Sequence, residues 1–110
     1  MKERDVEKAL VTEVRQCGGR AYKWVSPGNA GVPDRIIFFP NRVVFVELKT
    51  DTGKLSDVQA VQIQKLLGLG QEVYVCRGLK GVADFFDVEG FPEAAARIRK
   101  KMERQREVMD

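Results

Sequence analysis

The sequence predicts an α/β fold, a mixed β-sheet with helices packed on it, in the order α-β-β-β-α-β-α(-α). Three observations carry that prediction. Apolar residues near the start recur at helical spacing. Two apolar runs, 34–39 and 43–49, are separated by a tight turn. A strand, a helix and a further strand then follow one another between 43 and 77. The tight turn makes an antiparallel pair and the crossover a parallel one, so the sheet is mixed.

Each element has its own signal. Over residues 3–17, Val6, Leu10, Val14 and Cys17 form one apolar helical stripe, and Gly18-Gly19 ends it as a left-handed cap does. Arg20 to Val25 reads as a short strand. Tyr22 and Trp24 alternate there with Lys23 and are assigned to the core, as are Phe85 and Phe86. SPGNAGVP at 26–33 is a loop, since two prolines, two glycines and an asparagine forbid regular structure. Asp34–Phe39 and Val43–Lys49 are strands joined through Pro40-Asn41-Arg42. Ser56 caps a helix over about 57–68 with Val58, Val61, Ile63, Leu66 and Leu67 inward. Gly68 and Gly70 close it, Glu72–Arg77 is a fourth strand, Leu79–Phe86 a short helix, and Pro92 opens a last helix from its first turn.

With 110 residues, the chain is sized for one domain. Hydrophobic residues at 44% and charged residues at 32% fit a globular protein, and no apolar run approaches a membrane span. The start, Met-Lys-Glu-Arg-Asp, has no apolar stretch behind it, so no secretory signal is expected. Cys17 and Cys76 then read as buried thiols of a reducing, cytoplasmic compartment. The net charge of +3 is unevenly spread: residues 97–107 hold six cations against two carboxylates. That basic segment suits either contact with a polyanion or a solvated helix face. Histidine is absent, which excludes Ser-His-Asp triads, histidine general bases and His-containing zinc sites. Hydrolysis by this chain would fall to carboxylates, lysine and a hard metal ion.

The informative segment is GVPDR at 31–35 followed by VELK at 46–49. Glu47 and Lys49 share one face of a strand that is otherwise apolar, and a carboxylate there is costly unless it is paired or binds metal. The hairpin delivers Asp34 beside Glu47 to Lys49. Two carboxylates and an ammonium converge, an environment that favours Mg²⁺ or a similar hard divalent ion. Parity constrains the hairpin. A three-residue loop at 40–42 would set Asp34 opposite Leu48, on the wrong face, whereas a two-residue loop at Asn41-Arg42 sets it opposite Lys49. An even connection, or a bulge that restores parity, is therefore expected.

G-x-PD, twelve intervening residues and E-x-K, with an acidic helix before and a glutamine-bearing helix after, resemble the PD-(D/E)XK nuclease superfamily. The closer resemblance is to its VRR-NUC branch, the virus-type replication-repair nuclease domain. It is carried by DVEKAL (5–10), YKWVSPG (22–28), GVPDR (31–35), FVELK (45–49), GKLSDVQ (53–59) and LGQEVYVCR (69–77). The resemblance implies a restriction-endonuclease-like core over residues 1–90, with a basic helix or tail at 91–110. It implies a Mg²⁺- or Mn²⁺-dependent endodeoxyribonuclease with no small-molecule cofactor and no membrane partner. Small phage and bacterial members are homodimers that cut branched DNA such as Holliday junctions, whereas the same domain in the eukaryotic Fanconi-associated nuclease cuts flaps. A sequence-specific duplex nuclease and a non-catalytic DNA-binding module are the competing readings.

By the same resemblance, Asp34, Glu47 and the Leu48 carbonyl match metal ligands, Lys49 the catalytic lysine and Glu7 the acidic residue of the first helix, with Glu3 and Glu13 as its competitors. Gln59 matches a polar residue that could hold a water. Lys23 and Ser26 are expected to touch phosphate. For Arg35, Lys54 and Arg77, phosphate contact and simple surface charge both remain open. The first helix and strand 20–25 are the candidate seams of the dimer.

Overall fold

In the computed structural model, which describes residues 2–109, four strands form one sheet in the order β1-β2-β3-β4: β1 Arg20–Lys23, β2 Arg35–Phe39, β3 Arg42–Lys49 and β4 Val73–Arg77. β1, β2 and β3 pair antiparallel in turn, and β3 pairs parallel with β4. The helices are α1 Glu3–Gln16, α2 Asp57–Gly68, α3 Gly78–Val88 and α4 Pro92–Met109. α2 supplies the crossover between the parallel strands. This is the mixed α/β architecture that the sequence predicts, with element ends shifted by one or two residues.

The core lies on one face of the sheet. Ile37, Phe39, Val44, Val46, Leu48 and Cys76 point to that side. They pack against Val6, Leu10 and Val14 of α1, Val82, Phe85 and Phe86 of α3, and Ala94, Ala95 and Ile98 of α4. Gly19 follows α1 because a Cβ there would stand 2.5 Å from the Phe38 carbonyl oxygen, closer than side chains tolerate. Both cysteines are unpaired. Cys76 is buried, and burial pushes its thiol up to about 12. Among the described residues no helix is long and apolar enough to cross a membrane.

The opposite face departs from the sequence expectation. Of the α2 residues expected inward, only Ile63 is buried, while Val58, Val61 and Leu67 are about half exposed. The helix turns its 59/63/66 stripe to the sheet, so Gln59 and not Val58 heads the inward row. Tyr22, assigned to the core, is 58% exposed and stacks edge-on with exposed Phe38. Trp24 is half-buried against Phe45. Phe85 and Phe86 are buried as expected.

The hairpin connection is even, but it uses Pro40-Asn41: Phe39 pairs with Arg42. Proline fixes the first position and Asn41 takes φ +66°, the combination a type II turn uses. The register therefore sets Asp34, one residue before β2, opposite Glu47 and not opposite Lys49.

Candidate active site

Asp34 and Glu47 meet because the chain leaves β2 there. The Asp34 carbonyl still accepts the Trp24 N–H at 2.9 Å, which continues the β1–β2 ladder by one step. β3, however, runs three residues past the last β2 pair at Arg35↔Val46. The Asp34 carboxylate fills that gap, and its Oδ2 accepts the Leu48 backbone N–H at 2.8 Å. Pro33, itself buried, stiffens the approach.

Glu47 is 2% exposed, the one charged residue that is buried among the described residues. Its Oε2 accepts from Gln59 Nε2 at 3.0 Å and lies 3.3 Å from the Lys49 ammonium. Its Oε1 is buried with no hydrogen-bond partner among the described residues. Burial first, and the Asp34 charge second, raise the Glu47 carboxyl to about 7, with Lys49 pulling it back. A buried oxygen without a partner costs stability unless something else meets it.

Gln59 does two things at once. Ser56 Oγ accepts the Gln59 backbone N–H, and the Gln59 side-chain oxygen accepts the Ser56 N–H, a reciprocal capping box that starts α2. The remaining amide N–H₂ holds Glu47. Sequence reasoning identified Ser56 as a cap and Gln59 as a water-holding group. Taken together, the S-x-x-Q spacing was the signal that one side chain links the helix start to the carboxylate.

The donor set fits a hard cation. Backbone groups alternate sides along β3. Phe45 N–H reaches Glu72 on the β4 side and Leu48 N–H reaches Asp34 on the β2 side, so the Leu48 carbonyl also projects past the end of β2. An unpartnered carboxylate oxygen, a second carboxylate and a backbone carbonyl make an all-oxygen set. Among the described residues no group of three or more acidic, cysteine or histidine side chains converges. Any ion here would keep several waters, as Mg²⁺ does.

Other expected site residues are placed differently. Glu7 pairs with Arg35 at 3.4 Å, and Arg35 also donates to the Ala21 carbonyl. Arg35 is thus an internal strut more than a cation held out for phosphate, and Glu7 reaches the carboxylate pair only through it. Lys23 is exposed but pairs in register with Arg35, on the α1 side of the sheet and away from Glu47. Ser26 Oγ accepts from Asn29 Nδ2 within its own loop. Lys54 is exposed in the loop before α2. Arg77 stands opposite Lys49 in register, its guanidinium braced on the Gly53 carbonyl.

The family of the VRR-NUC domain matches residues 3–80. A relative from Acyrthosiphon pisum secondary endosymbiont phage 1, named "Putative nuclease p44", is 46% identical over 76 residues, covering 68% of this chain and 82% of that protein. A solved structure described as a VRR-NUC domain superposes with a TM-score of 0.73 at 26% identity, covering 81% of this chain and 96% of the other. Hjc of Archaeoglobus fulgidus, a Holliday junction resolvase, shares the fold with a TM-score of 0.52 at 22% identity over 68% of this chain and 67% of its own.

Proposed function

The chain belongs to the VRR-NUC family of nucleases, and from that premise we propose that it is a Mg²⁺- or Mn²⁺-dependent endodeoxyribonuclease that hydrolyses phosphodiesters in branched DNA, four-way junctions foremost. The observation that carries the reading is the buried, unpartnered Oε1 of Glu47 on the strand whose next N–H, that of Leu48, holds the Asp34 carboxylate. A copy of the fold that had lost catalysis has no physical reason to keep that costly arrangement.

Asp34, Glu47 and the Leu48 carbonyl would hold the ion. When bound, it supplies Lewis-acid polarisation of a phosphoryl oxygen and a more acidic water. The chain's own residues do the rest. Gln59 and the Asp34–Leu48 hydrogen bond fix the two carboxylates in place. The Lys49 ammonium, anchored 3.3 Å from Glu47 Oε2, keeps N–H donors for the attacking water and for charge that grows on the phosphoryl oxygens. Arg77, next to it on the same face, adds a guanidinium for the neighbouring phosphate. Lys54 and Ser26, in loops, would add further phosphate contacts, and Lys23, on the α1 side of the sheet, would reach a phosphate outside the carboxylate cluster.

We further propose that two copies act together. Cutting a four-way junction takes nicks in two symmetry-related strands, and one copy carries one carboxylate pair. Exposed Tyr22 and Phe38 of the sheet and Val58 and Val61 of α2 lie on the face that holds the site and offer an apolar seam to a second copy. The stripe of α1 is spent on the core, so α1 is not that seam.

Incubating the protein with a four-way junction, a flap, linear duplex and single strand, each with Mg²⁺, Mn²⁺ or excess chelator, tests the reading. Paired nicks in the junction that require a divalent ion are expected. Cleavage that persists in chelator, or that favours linear duplex, contradicts it.

A further inference from the structure

We propose that the groove between α1 and α4 binds the sugar-phosphate backbone of a DNA arm leading away from the cut site. The proposal rests on the nuclease reading and extends it to a surface that α4, which lies beyond the family match at residues 3–80, completes with α1. A cavity of about 250 Å³ opens there, lined by Lys8, Thr12, Glu13, Arg97, Ile98 and Lys101. Its one carboxylate is already neutralised. Glu13 takes hydrogen bonds from Arg97 at 2.7, 3.1 and 3.2 Å. Lys8 and Lys101 are exposed and form no ion pair among the described residues, so the groove keeps two uncompensated positive charges. A hydroxyl, Thr12, sits between them.

The direction of the groove singles out this partner. Arg97 meets Glu13, and the groove is lined further by Lys101, four residues on along α4, and by Lys8, five residues back along α1, so α4 runs antiparallel to α1. One turn further, α4 carries exposed Arg104 and the first turn of α1 carries exposed Arg4. The start of α1 is also where Glu7 pairs with Arg35, the residue after Asp34. The cations therefore form a track that leads to the catalytic end of the sheet, as a continuous polyanion requires and a single bound phosphate does not. On α4, Arg99 is instead spent on Asp84 and Asp87.

The test is a double variant, Lys8→Gln with Lys101→Gln, compared with wild type and with a charge-matched control, Lys65→Gln with Lys80→Gln, on other surfaces. Binding of a fluorescent four-way junction in EDTA is followed by anisotropy across a salt series, and cleavage is followed in Mg²⁺ at saturating protein. The groove variant is expected to bind on the order of ten-fold more weakly near 100 mM salt. Its log–log salt slope should fall by roughly two, with the saturated cleavage rate and thermal midpoint of wild type. A slope and affinity equal to wild type, or an equal loss in the control, overturns the groove. A wild-type protein that neither binds nor cuts the junction overturns the nuclease reading beneath it, and that result is distinguishable from the first.

Discussion

Ile37 and Phe38 are adjacent on β2, yet Ile37 is fully buried with α1 and α3, whereas Phe38 is 41% exposed on the other side. The contrast holds across the whole sheet. One face is dry and closed by three helices. The other carries a single helix, half-exposed aromatic and aliphatic residues, and every member of the carboxylate–lysine cluster. The fold separates its tasks. Stability is concentrated on one face, so the other can leave a buried carboxylate oxygen unmet and apolar surface uncovered, as the proposed ion, substrate and second copy require.

The adjacent pair on β2 gives the largest stability contrast. Ile37→Ala should cost about 2–5 kcal/mol in urea unfolding, at any protein concentration, because it opens a cavity in packed surroundings. Phe38→Ala should cost less than half of that in dilute protein, and should lower the apparent mass in light scattering at micromolar concentration. Equal costs, with an unchanged mass, would erase the distinction between the faces.

Glu47 sharpens it further. Its folded carboxyl is raised to about 7, above its ordinary value near 4.5, so folding favours the protonated form. Without divalent ions, the stability that Glu47 contributes is full at acidic pH and is lost as pH rises from 4.5 through 7, by on the order of 3 kcal/mol at most. Glu47→Gln should be flat through that window and the more stable protein at pH 8. Added Mg²⁺ should restore wild type and leave the variant unmoved. A wild-type curve that rises through the window would place the carboxylate in a different balance.

The smallest effect concerns the link between α2 and the site. Gln59→Ala removes half of the capping box and the Glu47 contact together, so it should cost about 1 kcal/mol in thermal unfolding. It should slow cleavage by about 10–100-fold, as loss of an outer hydrogen bond to a metal ligand does. Gln59→Glu can keep the cap yet turns a carboxylate toward Glu47, so cleavage should fall while helix stability stays. Loss of stability with unimpaired cleavage would make Gln59 a cap and nothing more.

Much of this was legible in the sequence. The alternating and helical apolar patterns give all eight elements, and the lone acid within VVFVELK marks Glu47 because burial makes an unpaired carboxylate expensive. Parity required an even hairpin, and the structure has one. Which two residues make the turn was not legible: both Pro40-Asn41 and Asn41-Arg42 satisfy parity, and the choice moves Asp34 from Lys49 to Glu47. The inward row of α2 was misread because Val58 and Val61 look like core by hydropathy, while the row that meets the sheet begins with a glutamine whose partner is a buried acid. Arg35 and Glu7 were read one residue at a time, and pairing across 28 positions of chain leaves no local signature.

The central claim is that the open face is catalytic through Asp34 and Glu47, and single-turnover cleavage of a four-way junction by Glu47→Gln beside wild type, in Mg²⁺, tests it most directly. The substitution keeps shape and hydrogen bonding while removing the charge that would hold the ion. The expected result is a variant that stays folded and binds the junction but cuts it at least about 100-fold more slowly, beyond the loss from any outer-contact change. Cleavage at the wild-type rate would contradict the account.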